Sequence, residues 1–159
     1  MNIISHALIG MRQLQMLDLS KSGMGVDGTA ALAAVLPAFA GSLARLTLSY
    51  CSIDVEAAAN TLAPALAQVT CLVELHLDIN RLEPFGAERL VPVLSCLPHL
   101  RKVDLSLCDL GAQGCMAVAQ AVKGREGIVL VLQGNGVSDG GAFQKALLSI
   151  PGIHVHLES

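Results

Sequence analysis

Apolar and polar residues alternate in short stretches along this chain, and between the stretches apolar residues fall about four apart. The clearest copy is Leu72-x-x-Leu75-x-Leu77-x-x-Asn80-x-Leu82, followed by Gly86, Leu90 and Leu94, before the pattern restarts at Leu100. Alternation is the mark of a half-buried strand, and the four-residue spacing that of a helix face. The asparagine between them suits a turn, because its side chain can bond backbone groups that belong to no regular element. A unit of this kind cannot bury its own apolar face and needs copies of itself on either side.

The copies are present. Leu14, Leu17, Leu19, Ser22 and Met24 form one, and Leu43, Leu46, Leu48, Cys51 and Ile53 a second. After the Leu72 copy come Leu100, Val103, Leu105, Cys108 and Leu110, then a looser fifth with Gly127, Leu130, Leu132, Asn135 and Val137. A last strand is expected at Ile150, Ile153 and Val155. The second apolar strand position recurs at Leu17, Leu46, Leu75, Val103, Leu130 and Ile153, at intervals of 27 to 29 residues and a final one of 23. The pattern predicts strands centred on Leu17–Leu19, Leu46–Leu48, Leu75–Leu77, Val103–Leu105 and Leu130–Leu132, with helices following Gly28, Ala58, Gly86 and Gly114. Because every copy runs the same way, the strands must be parallel. Strands spaced ~4.8 Å pack more tightly than helices of ~10 Å diameter, so the stack bends with strands inside and helices outside. The expected fold class is α/β: an arc-shaped solenoid with a parallel sheet on the concave side and helices on the convex side. It forms one domain over residues 1–159, with a partial repeat over 1–13, about five repeats over 14–149 and a terminal strand over 150–159.

This pattern resembles the leucine-rich-repeat family, in its ribonuclease-inhibitor-like class with long repeats and true helices. The turn column Cys51, Asn80, Cys108 and Asn135 is similar to the two alternating repeat types of that class, with Ser22 the departure in the first repeat. The resemblance implies a non-catalytic scaffold that binds a protein partner. Alternatives that the same resemblance admits are a regulator of a small GTPase, or a fragment of a larger receptor or cytoskeletal protein.

Alternation also places side chains on the concave face. One column is Met16, Arg45, Glu74, Lys102 and Val129; the next is Asp18, Thr47, His76, Asp104 and Val131; a third is Ser20, Ser49, Asp78, Ser106 and Gln133. Arg45, Glu74 and Lys102 then read as a ladder of alternating charge. The expected partner-binding patch is Arg45, Glu74, His76, Asp78, Lys102 and Asp104, with Tyr50, the one tyrosine, as an anchor at the strand exit.

Composition narrows the function. The chain of 159 residues is 53% hydrophobic and 14% charged, with no tryptophan and a net charge of −3. That balance, without a Lys/Arg cluster, argues against a nucleic-acid partner. Thr29 to Ala40 is too short for a membrane span and contains Pro37. No signal peptide is evident at Met1–His6. Five cysteines without paired spacing fit a reducing compartment, hence a cytoplasmic protein with structural thiols. Cys51 and Cys108 stand two repeats apart, ~9–10 Å or more, beyond disulfide reach.

His76 with Asp78 and Asp104 is the grouping that invites a catalytic or metal reading, but nothing beside it supplies a nucleophile or an enclosed pocket. His154 and His156 share one side of the last strand and read as solvated. Gly134-Asn135-Gly136 and Gly140-Gly141 lack phosphate-loop spacing and its lysine. No catalytic residue, metal or cofactor is therefore assigned. The N-terminal segment, with Ile3, Ile4, Leu8, Ile9 and Met11, and the final strand leave apolar edges that invite self-association through a terminal repeat.

Overall fold

The computed structural model describes residues 8, 10–137 and 141–157. Most of the Met1–Gln13 segment, and with it the expected apolar N-terminal edge, lies outside the described residues. Within them the chain alternates strand and helix. The strands are β1 (Met16–Asp18), β2 (Arg45–Thr47), β3 (Glu74–His76), β4 (Lys102–Asp104), β5 (Ile128–Val131) and β6 (Ile153–His156). They pair in chain order, all parallel, with Leu17, Leu46, Leu75, Val103, Leu130 and Val155 in register. β1 to β4 open one residue earlier than the apolar markers suggest and β5 two residues earlier, at Ile128, while on β6 Val155 and not the expected Ile153 stands opposite Leu130. Their hydrogen bonding runs on regardless: Leu48 donates to the His76 carbonyl at 2.8 Å, and Leu77 to the Asp104 carbonyl at 2.9 Å.

The core follows the repeat. Leu46, Leu48, Leu75, Leu77, Val103 and Leu105 are fully buried, as are Leu43, Leu72 and Leu100 at the strand entrances. On the other side lie helices α1 (Gly25–Val35), α2 (Ala63–Leu66), α3 (Glu83–Cys96), α4 (Gly111–Ala121) and α5 (Ala142–Leu148). Their inward faces carry Leu32 and Val35, Leu66, Leu90 and Leu94, Val118 and Ala119, and Leu147.

The helices start about three residues before the expected point. α1, α3 and α4 open on Gly25, Glu83 and Gly111, so Gly28, Gly86 and Gly114 stand inside the first turn. There the small residue permits close approach. A Cβ on Gly114 would come within 3.2 Å of the Ala87 Cβ and 3.3 Å of the Pro84 Cα, so α3 and α4 touch through backbone. The second repeat is different again. Asp54 Oδ1 accepts the Ala57 amide at 2.9 Å, and residues Ala57–Leu62 wind as a wider π-helix before α2. Pro64 follows, in the first turn of α2, where its missing amide costs no helical bond.

Three further features hold the stack. Asn80 Oδ1 accepts the amides of Cys51 and Ile53, both at 3.0 Å, while its Nδ2 donates to the carbonyls of Leu48 and Leu77 at 2.8 Å. Asn135 does the same for Cys108, Leu110, Leu105 and Leu132. The intervening thiols donate backwards, Cys51 Sγ to Leu19 O at 3.0 Å and Cys108 Sγ to Leu77 O at 3.2 Å. All five cysteines are free thiols, and burial pushes those of Cys108 and Cys115 up to about 12.

Candidate functional site

Register, not loop geometry, builds the concave surface. Each strand is pinned to its neighbours by backbone bonds, so the side chains between the buried leucines stand in straight columns. Met16, Arg45, Glu74, Lys102, Val129 and His154 form one; Asp18, Thr47, His76, Asp104, Val131 and His156 form the next. Both His154 and His156 therefore extend the columns onto β6, beside Val129 and Val131.

The centre of this surface is a shallow hollow of about 410 Å³, with Met16, Asp18, Arg45, Glu74, His76 and Lys102 around it. Arg45 Nη2 meets Glu74 Oε1 at 2.7 Å. The guanidinium holds the Glu74 carboxyl below the usual carboxylate range, against the opposing effect of burial. The expected alternating ladder stops there: among the described residues Lys102 forms no ion pair, and the other oxygen of Glu74 faces His76 Nε2 at 3.5 Å. His76 Nδ1 lies 3.9 Å from Asp104 Oδ2. The imidazole is thus set between two carboxylates from two different strands.

Serines orient the acids. Ser106 donates its amide at 3.1 Å and its hydroxyl at 2.7 Å to Asp104 Oδ1, and Ser49 donates its hydroxyl at 2.6 Å to Asp78 Oδ1. Ser20 treats Asp18 in the same way, and its hydroxyl bond, ahead of its amide bond, lowers the Asp18 carboxyl from its ordinary value. Ligand atoms of His76, Asp78 and Asp104 all lie within 4.8 Å of one another, a spacing that one cation could bridge. The site is open to solvent on one side, with Thr47 paired across from His76 on β2.

Arg45, Glu74, His76 and Lys102 thus share one hollow, with Asp104 against His76 and Asp78 two residues past the end of β3. Tyr50 stands apart from them. It is 59% exposed and lines a second hollow with Ile79 and Leu107 at the strand exits. Ile79 and Leu107 escaped the strand alternation because they lie just past it, in the turn.

A family profile described as "Leucine Rich repeat" matches residues 96–119. The human "NACHT, LRR and PYD domains-containing protein 5" is 32% identical over 142 residues, covering 87% of this chain and 12% of that protein. "Ribonuclease inhibitor" of Sus scrofa is 30% identical over 141 residues, 87% of this chain and 31% of the inhibitor. The chain therefore spans less than a third of the length of these curated relatives. Among solved structures, the tropomodulin C-terminal domain of Caenorhabditis elegans superposes with a TM-score of 0.68 at 16% identity, over 91% of this chain and 89% of that one, which speaks for the fold alone. With the repeat register, the Cys/Asn turn column and the one-strand, one-helix unit, these likenesses place the chain in the leucine-rich-repeat family, in its ribonuclease-inhibitor-like class.

Proposed function

We propose that the chain is a protein-interaction scaffold whose concave face binds a protein partner through Arg45, Glu74, His76, Asp78, Lys102 and Asp104, with Tyr50 at the rim. The observation that carries this reading is the central hollow itself. It gathers both signs of charge on rigid strands, and Lys102 and Asp18 keep their charges free of ion pairing among the described residues. Preset polar groups of this kind specify a partner more than they stabilise the fold. In this reading residues 1–159 act as one repeat domain, with a partial first repeat over 1–13 and a terminal strand over 150–159. Family membership points the same way: leucine-rich-repeat proteins serve in general as non-catalytic binding modules.

The test is affinity capture with the wild-type chain and with variants of each face. Glu74→Ala, His76→Ala and Lys102→Ala are expected to lose the captured protein at least tenfold with little change in Tm. Gln68→Ala and Glu88→Ala, on the helix side, are expected to retain it. Loss on the helix side with silent concave variants would overturn the assignment.

A further inference from the structure

One backbone position in every repeat is held in the left-handed region, immediately before the Cys/Asn turn column. It is occupied by Lys21 (φ 59°), Tyr50 (54°), Ile79 (55°), Leu107 (53°) and Gly134 (66°). Glycine is the residue that takes this conformation without strain, and a β-branched isoleucine is among the least suited to it. The interstrand ladder imposes it. The amides of Lys21, Tyr50, Ile79 and Leu107 donate to the carbonyls of Ser49, Asp78, Ser106 and Gln133 at 2.8–2.9 Å.

The side chains at three consecutive steps of this column are large, apolar and turned to solvent. Tyr50 is 59% exposed, Ile79 44% and Leu107 55%. They form a row about two strand spacings long, ~10 Å, flanking a hollow of about 390 Å³. The row ends at Gly134, over which the Leu107 side chain lies where any Cβ would stand. The ladder sets this backbone in every repeat, so what singles out these three steps is the large apolar side chain each carries to solvent where glycine would fit without strain.

Charge identifies the complement. Asp54 and Asp109 line the same hollow, one in the repeat of Tyr50 and the other in that of Leu107, so an acid stands towards each end of the row. Neither forms an ion pair among the described residues. The cation of the hollow, Arg81, is neutralised by Glu83 at 3.0 Å. The rim is therefore net acidic around an apolar floor.

We infer that the Tyr50–Ile79–Leu107 row is a docking surface for a protein segment that presents apolar side chains between two lysines or arginines. The apolar side chains lie on the row, and the cations reach Asp54 and Asp109, which stand far enough apart to select for spacing as well as for sign. The surface lies outside the concave hollow and shares only Tyr50 with the proposed concave site, though it rests on the same reading of the chain as a protein-binding scaffold.

The probe is a phage-displayed library of random peptides, selected on the full chain and measured at low and high salt. Recovered peptides are expected to carry apolar residues flanked by Lys or Arg, and to bind at least tenfold more weakly at high salt. The Ile79→Gly/Leu107→Ser variant is expected to bind them at least tenfold more weakly, while Ile79→Gly alone keeps or raises Tm. Asp54→Asn/Asp109→Asn, which leaves the apolar row intact, covers the case in which the first pair fails to fold and is expected to abolish the salt dependence. No recovered peptide, acidic peptides, or binding indifferent to both variant pairs would overturn the inference. Peptides lost on Glu74→Ala/His76→Ala but kept by Ile79→Gly/Leu107→Ser would also overturn it, while leaving the concave reading standing. Failure of the concave reading is read separately, from the captured protein.

Discussion

Asn80 and Cys51 meet the same need, the unpaired backbone groups of a tight turn, with different chemistry. The asparagine both accepts and donates, so it can bind two amides of the preceding turn and two carbonyls at once. A thiol is small and a weak donor, and its shortest bond is to the Leu19 carbonyl of the repeat before it, with longer contacts to the Ser49 carbonyl and the Ser22 hydroxyl. Asn80→Ala would leave several buried groups without partners, and is expected to destabilise the chain by about 3–5 kcal/mol in urea denaturation. Cys51→Ala should cost markedly less, about 1 kcal/mol; equal losses would refute the division of labour. The alternating turn column was legible in the sequence because it recurs at a fixed phase. The Tyr50, Ile79 and Leu107 row was not, since nothing in those residue types announces a left-handed backbone, and only the ladder of the assembled sheet enforces it.

Arg45 and Glu74 give a second test at this scale. The Glu74 carboxyl is lowered by its partner, so the bonus to stability is present above the usual carboxylate range and is lost as pH falls through the folded-state value. Arg45→Ala is expected to lower stability slightly near pH 7, and the difference from wild type is expected to shrink as pH falls through the lowered Glu74 value. A difference that persists in acid would mean that Arg45 acts through packing instead. The ladder expected to continue to Lys102 failed for a geometric reason: one carboxylate serves Arg45 with one oxygen and faces His76 with the other.

Among the elements, β1 to β4 were readable from alternation to within one residue, because the buried face of each strand tolerates little but Leu and Val; on β6 the register was read two residues early, since Ile153 and Val155 are both apolar and half-buried. Helix starts were read three residues late. The glycines look like turn residues in the sequence, whereas in the structure they stand inside the first helical turn, and Gly114 is where α3 and α4 approach closely. Arg125 escaped notice for a similar reason, being a lone cation between repeats. Its guanidinium donates to the carbonyls of Leu94 at 2.7 Å, Leu97 at 2.5 Å and Leu100 at 3.2 Å, covering the end of α3 from the following repeat. Cations suit that end of a helix, where carbonyls lack amide partners. Burial lowers its ordinary pKa slightly against this role, with Arg101 adding to the effect, yet it remains a cation. Arg125→Ala is expected to lower stability by about 1–3 kcal/mol, and Arg125→Lys to restore less than half, since a single ammonium cannot reach three carbonyls in that fan. Full rescue by lysine would show that charge alone matters.

Taken whole, the molecule is a row of units in which each repeat touches only its neighbours, so stability adds along the row and the ends are weakest. Leu46, Leu75, Val103 and Leu130 are fully buried, whereas Ile153 and Val155 on β6 are only half-buried. Among the described residues β1 pairs on one side only, and Met16 upon it is 59% exposed. The described sheet thus ends on strands paired on one side, β1 with β2 and β6 with β5. Light scattering at high micromolar concentration, with and without residues 1–10, distinguishes self-association from a monomer. Local opening should follow the same gradient. Native-state hydrogen exchange is expected to find the amides of Leu48, Leu77 and Leu105 most protected, and those of β6 and the β1 edge the least. Leu75→Ala, in the middle of the row, should cost about 2–5 kcal/mol and lower protection in every repeat. Val155→Ala should cost less and loosen β6 and β5 while β2 and β3 keep their protection. Exchange at one common rate in all six strands would mean that the row opens only as a single cooperative body, and that an interaction at one end would be felt equally at the other.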